Sequence, residues 1–570
     1  MDGATWKMRP SEEKDAARLA AELGIPPPIA RILANRKISD PESARRFLYG
    51  TIEDLHDPYL MAGMKEAVER IFQAIERGEK ILIFGDYDVD GVLSVVMLHK
   101  ALEDLGAQVD YFIPERLKDG YGIKDEHIEV AAERGARLVI SVDCGVKSNG
   151  FVRAARERGI DVIITDHHLP GEELPAALAV LDPVLESSGY PDRNLAGVGV
   201  AFKLIQALLG HAQPDPNKRL ALLRSYMKLV AIGTVADVAK LTGENRIFVK
   251  QGLKELGHVS NIGLKSLIEV AGLTGKKISE GDIGFRLGPR INAAGRMENA
   301  DIAVKLFFSE SSEAAADLAG RLDRKNTERQ ATEERIYKQA RGRVTKNALD
   351  KRYKILILGC EEWHRGIIGI VASKLKEAFG RPVILFSYDD GTAYGSGRSI
   401  SEFSLINCLH ECRDLFLTYG GHELAAGCTL RTDDLPAFKN AANAVADSQI
   451  TDEHLQRKVV IDAKLDFADI DEPFLEYLAL LSPFGVGNPR PLFLSEDVEV
   501  VGPPRLLKNG KHAKFLLGQN GRTFEALGWD KGAWADGVRS GDRVRVAFGL
   551  QSSTYLGQEQ LTLTLAGMKK

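Results

Sequence analysis

The sequence predicts an α/β protein of several domains: a parallel-sheet domain, a long connecting helix, a smaller α/β domain and a C-terminal β-barrel. Three observations carry that expectation. Short apolar runs alternate with helical segments over residues 68–165, the rhythm of a parallel sheet with crossover helices. Residues 310–344 are polar and helical in pattern, without proline and with glycine only at Gly320 and Gly342, as in a helix that bridges two bodies. Beyond Lys458 the pattern shortens to small strands separated by Gly-rich turns, which suits a small barrel such as an oligonucleotide-binding fold.

In chain order, residues 1–50 are charged and helical, broken at Ile25-Pro26-Pro27-Pro28, and read as a packing extension. Helix 68–77 leads to strand 80–84, then helix 92–105, strand 109–113, helix 126–134, strand 137–143, helix 149–158 and strand 161–165. The first α/β domain is placed at 51–307, the connecting helix at 308–350, the second α/β domain at 351–455 and the barrel at 456–570. Strands in that last part are expected at 499–501, 514–517, 523–526, 543–548 and 560–565. Lys508, Lys511, Lys514 and Phe515 there offer charge beside an aromatic, the grammar of a sequence-tolerant single-strand site.

At 570 residues, 44% hydrophobic and 27% charged, with 55 Gly and 22 Pro, the chain is neither collagen-like nor disordered. No run reaches the ~18–20 apolar residues of a membrane span, and the N-terminus lacks a basic region followed by an apolar one. Cys144, Cys360, Cys408, Cys412 and Cys428 form no CxxC pair, so a reducing cytoplasm is expected. Net charge of −5 excludes a protein that coats nucleic acid with its whole surface. Residues 286–352, with 15 Lys plus Arg against 10 Asp plus Glu, are either a solvated bridging helix or a groove that tracks a phosphate backbone.

The clearest chemistry sits at what read as four successive strand ends: Asp86-Tyr87-Asp88-Val89-Asp90-Gly91, then Asp143, then Asp166-His167-His168, then Asp237 after the segment 229–235. In a parallel sheet, ligands bind beyond the carboxyl ends of the strands. Carboxylates mixed with imidazole suit Mn²⁺ or Mg²⁺ better than structural zinc. A pair of such ions, sharing one bridging carboxylate, can activate a water for in-line phosphoryl displacement. Asp143 is the expected bridge, because its strand would lie at the centre of the set. Asp88 and Asp143 are read as ligands; Asp90, just before Gly91 and the next helix, is read as a helix N-cap. His167 is the stronger ligand candidate and His168 the phosphate contact, or the reverse.

These segments, with Val142-Asp143-Cys144-Gly145 and Gly233-Thr234-Val235-Ala236-Asp237, closely resemble the DHH phosphoesterase superfamily and, within it, its single-strand-specific exonuclease branch. The resemblance implies a DHH catalytic domain and a DHH-associated domain, with Asp86, Asp88, Asp143, His167 and Asp237 as ligands of two Mn²⁺ or Mg²⁺ ions. It implies Asp166 and His168 in support of the scissile phosphate. Pro114-Glu115-Arg116 and Gly288-Pro289-Arg290-Ile291-Asn292-Ala293-Ala294-Gly295-Arg296 are similar to further motifs of that branch, which brings Arg116, Arg290 and Arg296 into the catalytic set and Asn292 onto phosphate. In the second domain, Trp363-His364-Arg365-Gly366, Gly395-Ser396-Gly397-Arg398-Ser399 and Gly420-Gly421-His422 imply nucleic-acid phosphate binding by Arg365, Ser396, Arg398, Ser399 and His422. Ser482-Pro483-Phe484-Gly485-Val486-Gly487-Asn488 resembles the start of the branch's oligonucleotide-binding domain.

The activity so implied is metal-dependent hydrolysis of single-stranded DNA from the 5′ end by two-metal-activated water attack, in DNA repair and recombination. A single-strand-binding protein and a helicase are the implied partners, and a monomer is expected. Two other readings stand beside it: a phosphodiesterase for short oligonucleotides or cyclic dinucleotides, and a non-catalytic single-strand-binding scaffold.

Overall fold

Five strands, β1 (Lys80–Gly85), β2 (Gln108–Phe112), β3 (Ala136–Val142), β4 (Asp161–Thr165) and β5 (Ala179–Leu181), pair in parallel in the order β2-β1-β3-β4-β5. The order reverses between β1 and β3, whose carboxyl ends lie side by side, and a crevice opens at such a switch point. The inner strands β1, β3 and β4 are apolar almost throughout because both faces are covered. One face packs on α1 (Val89–Asp104), α2 (Gly197–Ala212) and the C-terminal half of α3 (Pro216–Ala236); α1 and α2 are apolar nearly all round, while α3 is buried only from Leu223 on.

The structure, a computed structural model, describes residues 3–10, 12–115, 120, 122–297, 299–555 and 558–570. The chain divides into two compact units, residues 1–322 with 459–570, and residues 323–458. The division falls inside helix α5 (Ser312–Lys346), which follows α4 (Gly288–Met297).

In the first unit the barrel strands Phe493–Val500, Arg543–Tyr555, Gln558–Lys569, Arg522–Gly528 and His512–Gln519 pair in turn, and Val500 meets Leu517 to close the ring. The expected strand positions are all met, and the strands run longer than the sequence pattern showed. Alternation along His512–Gln519 turns Ala513, Phe515 and Leu517 inward. Phe515 is therefore core and presents no face to a base, while Lys511 and Lys514 pair with Asp530 and Glu525. The N-terminal segment joins that core through Leu19, Ile29, Leu33 and Leu48, against Phe474, Phe493 and Phe548.

The second unit holds a sheet in the order Thr418–Gly421, Ala425–Arg431, Thr392–Arg398, Val383–Asp389, Leu356–Cys360; only the last pair is parallel. Helix α6 (Ile368–Phe379) packs against Val383–Asp389 and Thr392–Arg398.

Arg246, 2% exposed, ties three segments of the first unit together. Its Nε donates to Phe47 O at 2.8 Å, Nη1 to Leu481 O and Pro483 O at 3.0 and 3.2 Å, and Nη2 to Leu480 O and Ser482 O at 2.7 and 2.9 Å. Its guanidinium stacks 3.8 Å from the Phe47 ring centroid. Burial pulls its pKa down to about 9. Arg246→Met keeps the volume but orphans several buried carbonyls, so it should destabilise the first unit by about 3 kcal/mol or more; thermal unfolding reads the shift, and a melting point equal to the parent's would contradict the assignment.

Candidate metal centre

Asp86 follows β1 at once and is 2% exposed. Asp88 caps α1, its Oδ1 accepting from Asp90 N at 2.9 Å and Gly91 N at 3.1 Å. A methyl group on Gly91 would lie 2.4 Å from Asp86 O, so only glycine lets the chain turn this tightly between two acids. Asp90 is thus not the cap of its own helix. It stands in the first turn, fully buried, and its Oδ2 and Oδ1 accept from Gly197 N and Val198 N, both at 2.7 Å, at the start of α2. The sequence reading of Asp90 as an N-cap picked the right chemistry and the wrong helix, because the partner lies far along the chain.

Asp143 ends β3 in the left-handed region, at φ +61°. A β-carbon rarely adopts that conformation, and Asp is one of the few residues that tolerate it. The turn is fixed by Asp143 N donating to Thr165 O at 2.9 Å. Asp143 Oδ1 lies 3.0 Å from His167 Nε2, and Asp90 Oδ2 lies 3.7 Å from the same nitrogen. Asp166, 1% exposed, is occupied with positioning. Its Oδ1 accepts from His167 N at 2.8 Å and His168 N at 3.2 Å and meets His168 Nδ1 at 2.8 Å, while its Oδ2 accepts from Val146 N at 2.9 Å. A carboxylate on one imidazole nitrogen fixes the tautomer and leaves Nε2 of His168 for the site.

Asp237 does not follow a strand. The segment before it is the end of α3, begun by the Asp215 cap with Pro216 at its first position, and Asp237 is the C-cap. An apolar run of this length cannot be told from a buried strand by periodicity alone. The expected four strand ends are therefore three strand ends and a helix end.

Among the described residues, ligand atoms within 4.8 Å of one another fall into three overlapping groups: Asp86, Asp88 and Asp143; Asp143, His167 and His168; Asp90, His167 and Asp237. All five residues expected as ligands lie in these groups. Asp143 belongs to two of them, as the central position of β3 required, and so does His167. Burial, with Asp90, Asp88, Asp86 and Asp237 nearby, holds Asp143 well above the usual carboxylate range. Burial also raises Asp237, and lifts Asp90 to about 6. Burial alone would lower His167, but Asp237, Asp90, Asp166 and Asp88 outweigh it and raise its pKa. Such a set holds either protons or cations, and its hard oxygens with imidazole match Mn²⁺ or Mg²⁺.

Of the residues expected on phosphate in this unit, Asn292 Oδ1 accepts from Val89 N at 3.2 Å, which clamps α4 to the Asp88–Asp90 turn. Arg290 donates to Arg286 O at 2.7 Å, and Arg296 lies in the last turn of α4. Arg116 lies outside the described residues. In the second unit, a methyl on Gly369 would lie 2.8 Å from Ser396 Oγ and 3.3 Å from Arg398 Nη2, which places both beside the N-terminal end of α6. Tyr394, Ser396 and Arg398 alternate along Thr392–Arg398, and Arg365 stacks 3.9 Å from the Tyr394 ring centroid. Ser399 is turned away, its Oγ donating to Phe403 O at 2.6 Å. His422 N donates to Ala425 O at 2.7 Å, and Ala425 is the register partner of Arg398.

Sequence reasoning missed Asp182. It follows β5 as Asp86 follows β1, is fully buried, and is pushed up to about 7 by burial, with Asp166 adding to the shift. The apolar run before it, residues 176–181, is half alanine, a residue depleted in strands, so it does not flag a strand end.

Family models match the DHH family, N-terminal domain, over residues 80–234, a DHHA1 domain over 352–448 and a RecJ OB domain over 461–567. The chain is 40% identical over 544 residues to the single-stranded-DNA-specific exonuclease RecJ of Bacillus subtilis, a span of 95% of this chain and 68% of that one. It is 34% identical over 579 residues to that of Escherichia coli, covering 98% of both. The crystal structure of RecJ in complex with Mn²⁺ from Thermus thermophilus superposes with a TM-score of 0.84 at 31% identity, over 99% of this chain and 79% of that one; a Mg²⁺ complex from the same organism superposes with a TM-score of 0.78. With three domain models in the order of the fold, and a relative matched from end to end, the chain belongs to the RecJ family of DHH phosphoesterases.

Proposed function

We propose that the chain is an exonuclease that hydrolyses single-stranded DNA from the 5′ end at the centre built on Asp143. The observation that supports this most is the overlap of the ligand groups at Asp143 and His167, the arrangement a pair of adjacent cations requires. Mn²⁺ or Mg²⁺ held there supplies an activated water and charge neutralisation on the phosphoryl oxygens. Asp86 and Asp88 would hold one cation and His167 and Asp237 the other, with Asp143 shared between the two groups. Asp90 aligns the start of α2 with this set. Asp166 holds His168 through Nδ1, so Nε2 faces the site and, in the imidazolium form, donates to a non-bridging phosphate oxygen. Arg116, Arg290 and Arg296 neutralise charge as the attacking oxygen bonds to phosphorus and the opposite P–O bond breaks.

In the second unit, Arg365, Ser396 and Arg398 with the start of α6 bind a backbone phosphate, and His422 at the neighbouring hairpin joins them. A single-strand-binding protein and a helicase are proposed as partners, the monomer as the working state and the cytoplasm as the place of action. Among the described residues no helix is long and apolar enough to cross a membrane.

An oligonucleotide labelled at either end, its duplex and a dinucleotide, each incubated with protein and Mn²⁺, test the activity. The 5′ label should appear first as a mononucleotide and the duplex should be spared. Cleavage confined to the dinucleotide would move the chain to the small-substrate reading, and binding without cleavage to the scaffold reading. Asp143→Asn, which tolerates the left-handed backbone, should lower turnover by about two orders of magnitude or more without lowering the melting temperature of the metal-free protein. Full activity would refute the bridging role.

Protonation of Asp90 favours the folded metal-free chain below about pH 4, and that contribution is lost as pH rises through its folded value of about 6. Bound Mn²⁺ replaces those protons, so the rise in melting temperature on adding Mn²⁺ should be larger at about pH 8 than at about pH 5. An equal rise at both would contradict the crowded-carboxylate account.

A further inference from the structure

Helix α4 is preceded by a π-helical turn, Ile283–Leu287. Such turns are rare and concentrate at functional sites. Phe285 on this turn is 83% exposed, the most open large apolar side chain among the described residues. Leaving a phenyl ring in water forgoes a burial gain that its neighbours Ile283 and Leu287 both realise, each being fully buried.

The turn is pinned next to the metal centre. A methyl on Gly284 would lie 3.7 Å from Val235 Cγ1, and one on Gly288 3.1 Å from Ala236 Cβ. Both contacts are with the last turn of α3, whose cap is Asp237. The next residue, Val238, takes φ +64° and is 64% exposed, the second most open in the same set. Further along the same helical run, Asn292 holds Val89 N between Asp88 and Asp90. Phe285 therefore stands on an element held at two points to residues that flank Asp237 and Asp88 in the chain.

The same helical run carries two arginines, of which Arg286 is paired with Asp282. Arg286 is fixed by Ala271 O, Gly272 O and Asp282, and Arg290 by Arg286 O and Val270 O, so two guanidinium groups are held on the rod that carries the ring. An exposed aromatic on an element that also carries held arginines offers what a single-strand site combines, charge for the backbone and a ring for a base face. A base in a duplex has its faces covered by stacking and cannot offer one.

We propose that Phe285 is the platform on which one unpaired base of the substrate strand stacks while a neighbouring phosphodiester occupies the metal centre. The assignment rests on the exonuclease reading and adds a determinant of single-strand preference to it.

Fluorescence anisotropy without added divalent ion tests it, using a 5′-phosphorylated strand of about a dozen nucleotides and a series in which one abasic residue is walked along it. The parent protein should lose about tenfold in affinity when the abasic residue reaches one particular position. Phe285→Ala should lose about tenfold on the intact strand and nothing more at that position, and Phe285→Trp should restore both the affinity and the positional penalty. Equal affinity of parent and Phe285→Ala for the intact strand would overturn the proposal, as would a positional penalty that survives in the variant. Strand hydrolysis by the parent in Mn²⁺, run in parallel, judges the exonuclease reading separately: its absence would remove that reading while the anisotropy series still decides whether Phe285 takes a base.

Discussion

Burial of crowded carboxylates, with their mutual repulsion added to the loss of hydration, is the constraint on which the site depends. Asp86, Asp90, Asp143 and Asp166 are each at most 2% exposed, and uncompensated charge in such a place is costly enough that proteins neutralise it. Asp166 escapes because His168 and three backbone N–H groups satisfy it, and its pKa is held low despite burial. Asp90 accepts two N–H groups at the start of α2 and is still lifted. Asp143 and Asp237 are raised as well. The fold concentrates negative charge to a degree that only protons or cations can balance, which turns metal affinity into a property of the scaffold.

The scaffold holds that charge with close backbone packing. β1 and β3 deliver their acids side by side at the switch point, and the left-handed turn at Asp143 aims the carboxylate across the crevice. Gly197 is required opposite it, since a methyl there would sit 2.7 Å from Asp143 Oδ1. The start of α2 thus approaches both Asp90 and Asp143, and α4 is clamped on the other side through Asn292. Residues far apart in sequence share one requirement, close approach to a crowded anionic centre.

Much of this was legible in the sequence because a parallel sheet converts local pattern into position. An apolar run followed by Asp86, Asp143 or Asp166-His167-His168 places those residues at one edge of the sheet before any tertiary contact is known. What was not legible lay in long-range contacts. Asp90 caps a helix more than a hundred residues away, Asp237 arrives on a buried helix whose apolar run imitates a strand, and Phe515 faces the barrel core because of strand register. Ser399 shares a motif with Ser396 and Arg398 but bonds to Phe403 O, a choice of hydrogen-bond partner that motif spacing does not encode. Phe285 drew no attention because a lone phenylalanine in a helical pattern reads as core.

The most direct test of the central claim is the electron paramagnetic resonance spectrum of the Mn²⁺-loaded protein, taken with a metal count per chain. The account predicts two Mn²⁺ ions coupled through a shared carboxylate, with a spectrum that collapses to that of uncoupled ions when Asp143 is replaced by Asn. A single bound ion, or two that are magnetically isolated in the parent protein, would contradict it.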